Sequence, residues 1–382
     1  MKKTAIAVTA ALLLAAALPG CASLGGSVSP GGSVSPGEQT PLMGLEAYLD
    51  AYPNIQDGPL YGTSINVNNW GEYLDESLNR DFRELTGVTV NYGFFETNEK
   101  LYSSIRTGGS SYDVIFPSDY MIGLLIEENL LLPIDTDLLG NYPYIMDDYK
   151  NTDYDPGNRY SVPYMSGTVG LIYNKAYVTE PVDSWALLFD PQYRGQILMF
   201  DNPRDAAGIA LKMLGKSFNT TDEDDIRAAF DLLAGQKPIV QAYVMDQIYD
   251  KLESGEALIG PYYAGDAIIM MEENEDLVFV HPREGMNMFI DALCIPASSE
   301  NTAGAYLYID FMCSTEAGLR NLEVTGYTTP LQNVFDELDD EVREDPLMYP
   351  PDEVMARGEV FLNLPESTRA LYNDLWSKLL SE

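Results

Sequence analysis

Cations are scarce in this chain. Its 382 residues carry 22 lysines and arginines against 59 aspartates and glutamates, with one histidine and three cysteines. A formal charge of −37 argues against nucleic acid as a partner, because a phosphate-binding surface needs the opposite sign. The lone histidine, His281, rules out an HExxH metal centre, and the chain holds neither a GxSxG elbow nor a glycine-rich phosphate loop. Cys21, Cys294 and Cys313 show no metal-ligand spacing. Cys294 stands in an apolar strand pattern and Cys313 ends a helical run over 303–313, so both read as buried free thiols in preference to a disulfide. Neither a metal nor a cofactor is expected.

Long hydrophobic runs are also missing. The apolar stretch 5–18 is too short to span a bilayer, and with Lys2 and Lys3 before it, residues 1–20 read as a secretory leader. Gly20 directly before Cys21 resembles the lipobox of bacterial lipoproteins, which implies acylation of Cys21 as the mature N-terminus. Next comes GGSVSP, repeated twice within 24–41, too poor in apolar residues to support a core. Residues 21–60 are therefore expected to be a lipid-anchored flexible tether, holding a folded body outside a membrane. Loss of Lys2 and Lys3 with the leader takes the charge from −37 to −39. A field of that sign concentrates small cations.

What the sequence does have is apolar and aromatic content, 46% and 11%, enough for substantial cores in a chain longer than one core usually serves. From residue 61 onward strand-like and helix-like segments alternate. EYLDESLNRDFRELT (72–86) puts Leu74, Leu78, Phe82 and Leu85 on one helical face and Gly87 ends it. VTVNY, YDVIF, SVPYM, TVGLIYN, QILMF, IVQAY, ALIGPYY, LVFV and MFIDALCI read as strands, with helices at 98–107, 120–129, 205–214 and 222–234 among them. The pattern predicts an α/β fold with largely parallel sheets, in which ligands bind beyond the carboxyl ends of strands.

The polar residues at those strand ends recur as rings paired with carboxylates or hydroxyls: Trp70, Glu72 and Tyr73; Ser118, Asp119 and Tyr120; Asp201, Asn202 and Asp205; Tyr262, Tyr263 and Asp266; Tyr327. Asp291 is the sharpest case, a carboxylate inside the apolar strand MFIDALCI beside Phe289. Singly, acids such as Asp119 and Glu72 read as helix-start residues favoured by the helix dipole. Together the pairs suit a chain of methylenes ending in ammonium groups. Rings bury methylenes at roughly 0.8 kcal/mol each and attract cations at about 0.5–2 kcal/mol, and carboxylates supply charge-assisted hydrogen bonds.

The same stretches carry a family resemblance. NWGEYL, YDVIFPSDYM, YSVPYMSGTVGLIYNK, SWALLFDPQYRGQILM, FIDAL and TGYTTP, in this order and spacing, make the chain similar to the spermidine/putrescine-binding proteins of bacterial polyamine ABC transporters, from about residue 62 to the C-terminus. The resemblance implies a two-lobe periplasmic-binding-protein-like α/β fold with hinge strands and an interlobe ligand cleft. One lobe would comprise 62–165 and 292–329, the other 166–291 and 330–382. It implies capture of a polyamine and delivery to permease subunits by a monomeric, membrane-anchored receptor. It assigns the cleft to Trp70, Tyr73, Ser118, Asp119, Tyr120, Asn202, Asp205, Tyr263, Asp266, Phe289, Asp291 and Tyr327. Asn202 stands where spermidine binders carry an aspartate, and Tyr263 and Phe289 replace tryptophans. Asn202 removes one of the family's carboxylates while Asp266 supplies the one seen in putrescine-type members, which implies a diamine in preference to spermidine.

Other classes remain open at this point. Carboxylates beside rings could serve a glycosidase, and the fold would accept another organic cation or small solute. The loop TDYDPGNRY (152–160) lacks the glutamate of a calcium loop and reads as a turn, and the sequon at Asn219 reads as a helix approach.

Overall fold

The computed structural model of the chain describes residues 40–108 and 111–381. The leader, the GGSVSP repeats and Cys21 lie outside the described residues. The tether expected to reach residue 60 is shorter than that. Helix α1 (Leu45–Ala51) buries Leu45 and Tyr48, and Leu60 is buried after it, all in the same apolar core as Phe82 and Tyr306. Leu45, Tyr48 and Leu49 recur at helical spacing, which gives this segment a face to bury.

Among the described residues nine strands form the frame: β1 (Ser64–Trp70), β2 (Thr89–Phe95), β3 (Val114–Ile115), β4 (Ser161–Asn174), β5 (Ile197–Phe200), β6 (Val240–Val244), β7 (Ile259–Tyr263), β8 (Leu277–Val280) and β9 (Met288–Cys294). They lie in the order β2-β1-β3-β9-β4-β7-β5-β6, with β8 on β4. Pairing is parallel for β1 with β2 and β3, and for β5 with β6 and β7. It is antiparallel wherever β4 or β9 takes part. The sheet is therefore mixed where a largely parallel one was expected. Two parallel groups are joined through long antiparallel strands.

SVPYM and TVGLIYN, read as two strands, are one. β4 runs 14 residues, its first part on β9 and its second on β7 and β8. Register slips between Pro163 and Met165. Proline has no N–H for the ladder and is confined to edges and bulges, so a bulge is where Pro163 can be tolerated. Separate hydrophobic cores gather about the two parallel groups. One surrounds Trp185, Phe200 and Leu171, and another surrounds Phe82, Ile65 and Tyr308.

The helices that matter follow strands. α2 (Ser77–Thr86) starts five residues later than its apolar pattern suggests. Glu72 sits at φ 48°, outside helical space, and the Asp75 carboxylate accepts the Ser77 N–H at 3.0 Å to begin the helix there. Gly87, at φ 76°, ends it as read, its N–H returning to the Arg83 carbonyl at 2.8 Å. α3 (Asn98–Arg106) follows β2, α4 (Asp119–Glu127) follows β3, α5 (Pro203–Met213) follows β5, and α6 (Glu223–Gln236) is capped by Asp222. α7 (Ile248–Glu253) follows β6, α8 (Ala264–Glu273) follows β7, and α9 (Thr302–Met312) and α10 (Thr315–Thr325) follow β9. Cys294 and Cys313 are free and buried. The 152–160 loop is a turn closed by the Asp155 carboxylate, which accepts the N–H groups of Arg159, Tyr160 and Ser161.

Candidate functional site

The ends of β1, β2, β3, β5, β6 and β7 open onto one cavity. Every ligand residue expected from the sequence lines it: Trp70, Tyr73, Ser118, Asp119, Tyr120, Asn202, Asp205, Tyr263, Asp266, Phe289, Asp291 and Tyr327. Cys21, the expected lipidation site, lies outside the described residues. Glu72 and Asp201, which stood beside them at strand ends, are not among the lining residues.

The rings are braced against one another. Tyr73 and Tyr327 meet edge to face at 4.8 Å between centroids, as do Tyr263 and Phe289 at 5.4 Å. Trp70 lies 4.4 Å from Phe95, and its indole N–H donates to the Phe116 carbonyl at 2.8 Å, which fixes the ring. Gly167 and Gly265 provide room for this packing. A Cβ on Gly265 would lie 2.5 Å from the Tyr327 ring, and one on Gly167 would lie 2.9 Å from Phe289. Backbone crosses behind the aromatic wall at contact distance only because these positions lack side chains.

The carboxylates come from helix starts and one strand. Asp119, Asp205 and Asp266 occupy the first turns of α4, α5 and α8, and Asp291 projects from β9. Helix dipoles favour acids there, yet burial dominates. It pushes Asp205 up to about 6, and Asp266 and Asp291 up to about 7. It drives Asp119 well above the usual carboxylate range, the neighbouring Asp291 charge adding to the effect. Hydrogen bonds hold some of them down. The Tyr249 hydroxyl donates to Asp266 Oδ1 at 2.7 Å and Tyr327 donates to Oδ2 at 2.5 Å. Tyr263 donates to Asp205 Oδ2 at 3.1 Å. Ser118 and Tyr73 lie close to Asp291 and lower its carboxyl, but neither the Tyr73 hydroxyl nor Asp291 Oδ1, both buried, has a hydrogen-bond partner among the described residues.

Asn202 is committed to the protein. Its Oδ1 caps α5 by accepting the N–H groups of Arg204 and Asp205 at 3.0 and 3.1 Å, and its Nδ2 donates to Asp205. It therefore orients a carboxylate and adds none. Arg204 stands behind the wall, with its guanidinium 5.1 Å from the Tyr120 ring centroid and 4.6 Å from that of Phe361. It also donates to Asn219 Oδ1 at 3.3 Å, so Asn219 belongs to this support.

Sequence reasoning missed Asp246 and Glu96, which also line the cavity. Asp246 accepts from the Tyr262 hydroxyl at 3.0 Å, and burial raises its carboxyl. Both acids follow a strand directly, Glu96 after β2 and Asp246 two residues beyond β6. Applied to every strand, the search for acids at strand ends would have found them. The lining thus holds six carboxylates, Glu96, Asp119, Asp205, Asp246, Asp266 and Asp291, and among the described residues no lysine, arginine or histidine.

A mixed α/β frame whose central strand serves two parallel groups, around a walled cavity at their ends, defines a solute-binding protein. The chain belongs to the bacterial extracellular solute-binding protein family, matched over residues 78–350. It is 33% identical to the spermidine/putrescine-binding periplasmic protein of Escherichia coli (strain K12) over 313 residues, 81% of this chain and 90% of the relative. It is 29% identical to the putrescine-binding periplasmic protein of Pseudomonas aeruginosa, covering 83% of this chain and 92% of that one. Among solved structures, a putative spermidine/putrescine ABC transporter protein from Listeria monocytogenes superposes with a TM-score of 0.81 at 36% identity, over 83% of this chain and 99% of that chain. The resemblance carried by the sequence motifs is borne out, as is the binding-protein fold. The family is one of transporter binding proteins, not of enzymes.

Proposed function

We propose that this solute-binding protein captures a polyamine for an ABC importer and delivers it to the permease subunits. One observation carries the reading: six carboxylates and no cation line a cavity walled by aromatic rings. Glu96 is exposed and paired with Lys100, but a neutral solute would leave the buried Asp119, Asp205, Asp266 and Asp291 without a cation in the cavity, at several kcal/mol. The four methylenes of butane-1,4-diamine would gain roughly 3 kcal/mol against the rings at about 0.8 each, and its ammonium groups would neutralise carboxylates at either end. The names of the relatives support the same ligand class.

The two lobes comprise 62–165 with 292–329, and 166–291 with 330–382, and they close on the ligand as a monomer. In support, β4 changes partners partway along, and Ser166 and Thr328 exchange backbone hydrogen bonds of 3.1 and 3.2 Å beside that change. Scattering profiles unaltered by every polyamine would contradict closure. Outside the cell the chain is held to the membrane by a lipid on Cys21. Cys21→Ser should move the protein from the membrane to the soluble fraction, and retention of the variant would refute the anchor.

Putrescine binds more tightly than spermidine, because Asn202 presents an amide already committed to α5 and Asp205. The central ammonium of a triamine would then be incompletely paired. Calorimetry with putrescine, cadaverine, spermidine and spermine tests the order, and tighter spermidine binding would overturn it. Binding of a different organic cation alone would replace the ligand assignment while keeping the class.

A further inference from the structure

Asp119 carries more than a helix start requires. Its Oδ1 accepts the N–H of its own neighbour, Tyr120, at 2.6 Å, while Oδ2 is buried with no hydrogen-bond partner among the described residues. Asp291 Oδ1 is in the same condition. The two residues are 2% and 4% exposed, and both line the cavity. The backbone brings them together. Ser118 pairs with Asp291 as an antiparallel bridge, and the Ala292 N–H donates to the Pro117 carbonyl at 3.1 Å.

We propose that Asp119 and Asp291 form one two-carboxylate seat for a single ammonium group, which holds a proton when empty and releases it to solvent when the ammonium enters. Two neighbouring carboxylates this deep cannot both ionise cheaply without a cation. The entering ammonium supplies that cation, and the carboxyl O–H then dissociates to a carboxylate and a solvent proton. Charge balances: one proton leaves as one positive charge arrives.

The surroundings offer only partial compensation. From α5, the Arg204 charge lowers the Asp119 carboxyl, while the Asp205 charge raises that of Asp291. The Arg204 guanidinium also acts on Glu99 of α3. The remaining titratable neighbours are phenols: Tyr73, Tyr120, Tyr154 from the loop before β4, Tyr164 of β4 and Tyr263 of β7. Burial pushes all of these phenols up, so they stay neutral near pH 7. Burial likewise favours the protonated form of both carboxyls of the seat.

This inference rests on the polyamine reading, and its test separates the two. Putrescine is titrated into the mature protein at pH 7 in phosphate and in Tris, whose ionisation heats differ. The heats should differ by an amount corresponding to roughly one proton released per ligand. Asp119→Asn and Asp291→Asn should each remove most of that release and flatten the dependence of Kd on pH between about 5.5 and 7.5. Equal heats in both buffers with putrescine bound would overturn the seat, as would release undiminished in both variants, since Asp205 and Asp266 account only for a remainder. If one variant fails to fold, the other and the wild-type comparison still decide. No binding of any amine would overturn the polyamine reading instead.

Discussion

Replacing Asp291 with asparagine is expected to weaken diamine binding by roughly 2–5 kcal/mol, the usual consequence of removing one partner of a buried charge pair. The empty protein should be as stable as before at pH 5 and slightly more stable at pH 8. β9 is otherwise apolar and pairs with β4 through backbone groups, so the strand does not need the charge to form. Asparagine keeps the side chain's shape. What disappears is an anion that water no longer solvates. A structural aspartate would show the reverse pattern, with melting temperature lost and dissociation constant kept, and measuring both on this one variant distinguishes the roles.

The second large effect is on stability against pH. Asp266 and Asp291 titrate near 7 in the folded protein, while an unfolded aspartate titrates near 3.9. Between those values the folded state binds more protons than the unfolded state, so stability falls as pH rises. The contribution is complete below about pH 4 and is lost as pH passes through about 7. At 1.36 kcal/mol for each unit of displacement, the two groups together amount to several kcal/mol across the window. The empty protein should melt roughly 5–10 °C lower at pH 8 than at pH 5. Repulsion within so acidic a chain acts in the same direction. The discriminating arm is therefore the Asp266→Asn, Asp291→Asn double variant, which should lose a large part of the slope. Saturating putrescine should reduce the slope in the parent, because ammonium groups favour the ionised carboxylates. An unchanged slope in the double variant would show that cavity acids do not set it.

Much of the site was legible because rings and acids recur at strand ends in stretches that also carry family motifs. Tyr73, Asp291 and Tyr327 come from three distant parts of the chain; strand-end reasoning singled them out, and the family resemblance assigned them to one cleft. Asp246 and Glu96 escaped because no motif marks them, although each stands just beyond a strand. Their signal was positional and weak. Asp119 was visible as a residue, but an acid at a helix start is ordinary. Only its 2% exposure and the unpartnered oxygen separate it from a capping group.

The differences in the fold have local causes. Leu74 extends the apolar periodicity of α2 upstream, but Glu72 takes a left-handed backbone, and periodicity does not report φ. The break between SVPYM and TVGLIYN is a bulge inside one strand, because a proline-bearing segment punctuates a sequence without ending the sheet. Sheet direction was the least legible feature. Alternating helices and strands suggest parallel pairing, but the long crossing strands β4 and β9, which join the two parallel groups, reverse it locally. Composition also overextended the tether. Gly, Ser and Pro dominate up to residue 41, whereas burial of Leu45 and Tyr48 begins within a few residues of that point.

The account rests on charge complementarity in the cavity, and one calorimetric comparison addresses it. Butane-1,4-diamine and butane-1,4-diol have the same carbon chain and hydrogen-bonding ends, but only the first is a dication at pH 7. The diamine should bind saturably and the diol should give no binding heat at the same concentrations. Equal binding of the two, or binding of the diol alone, would contradict a cavity built to hold ammonium groups.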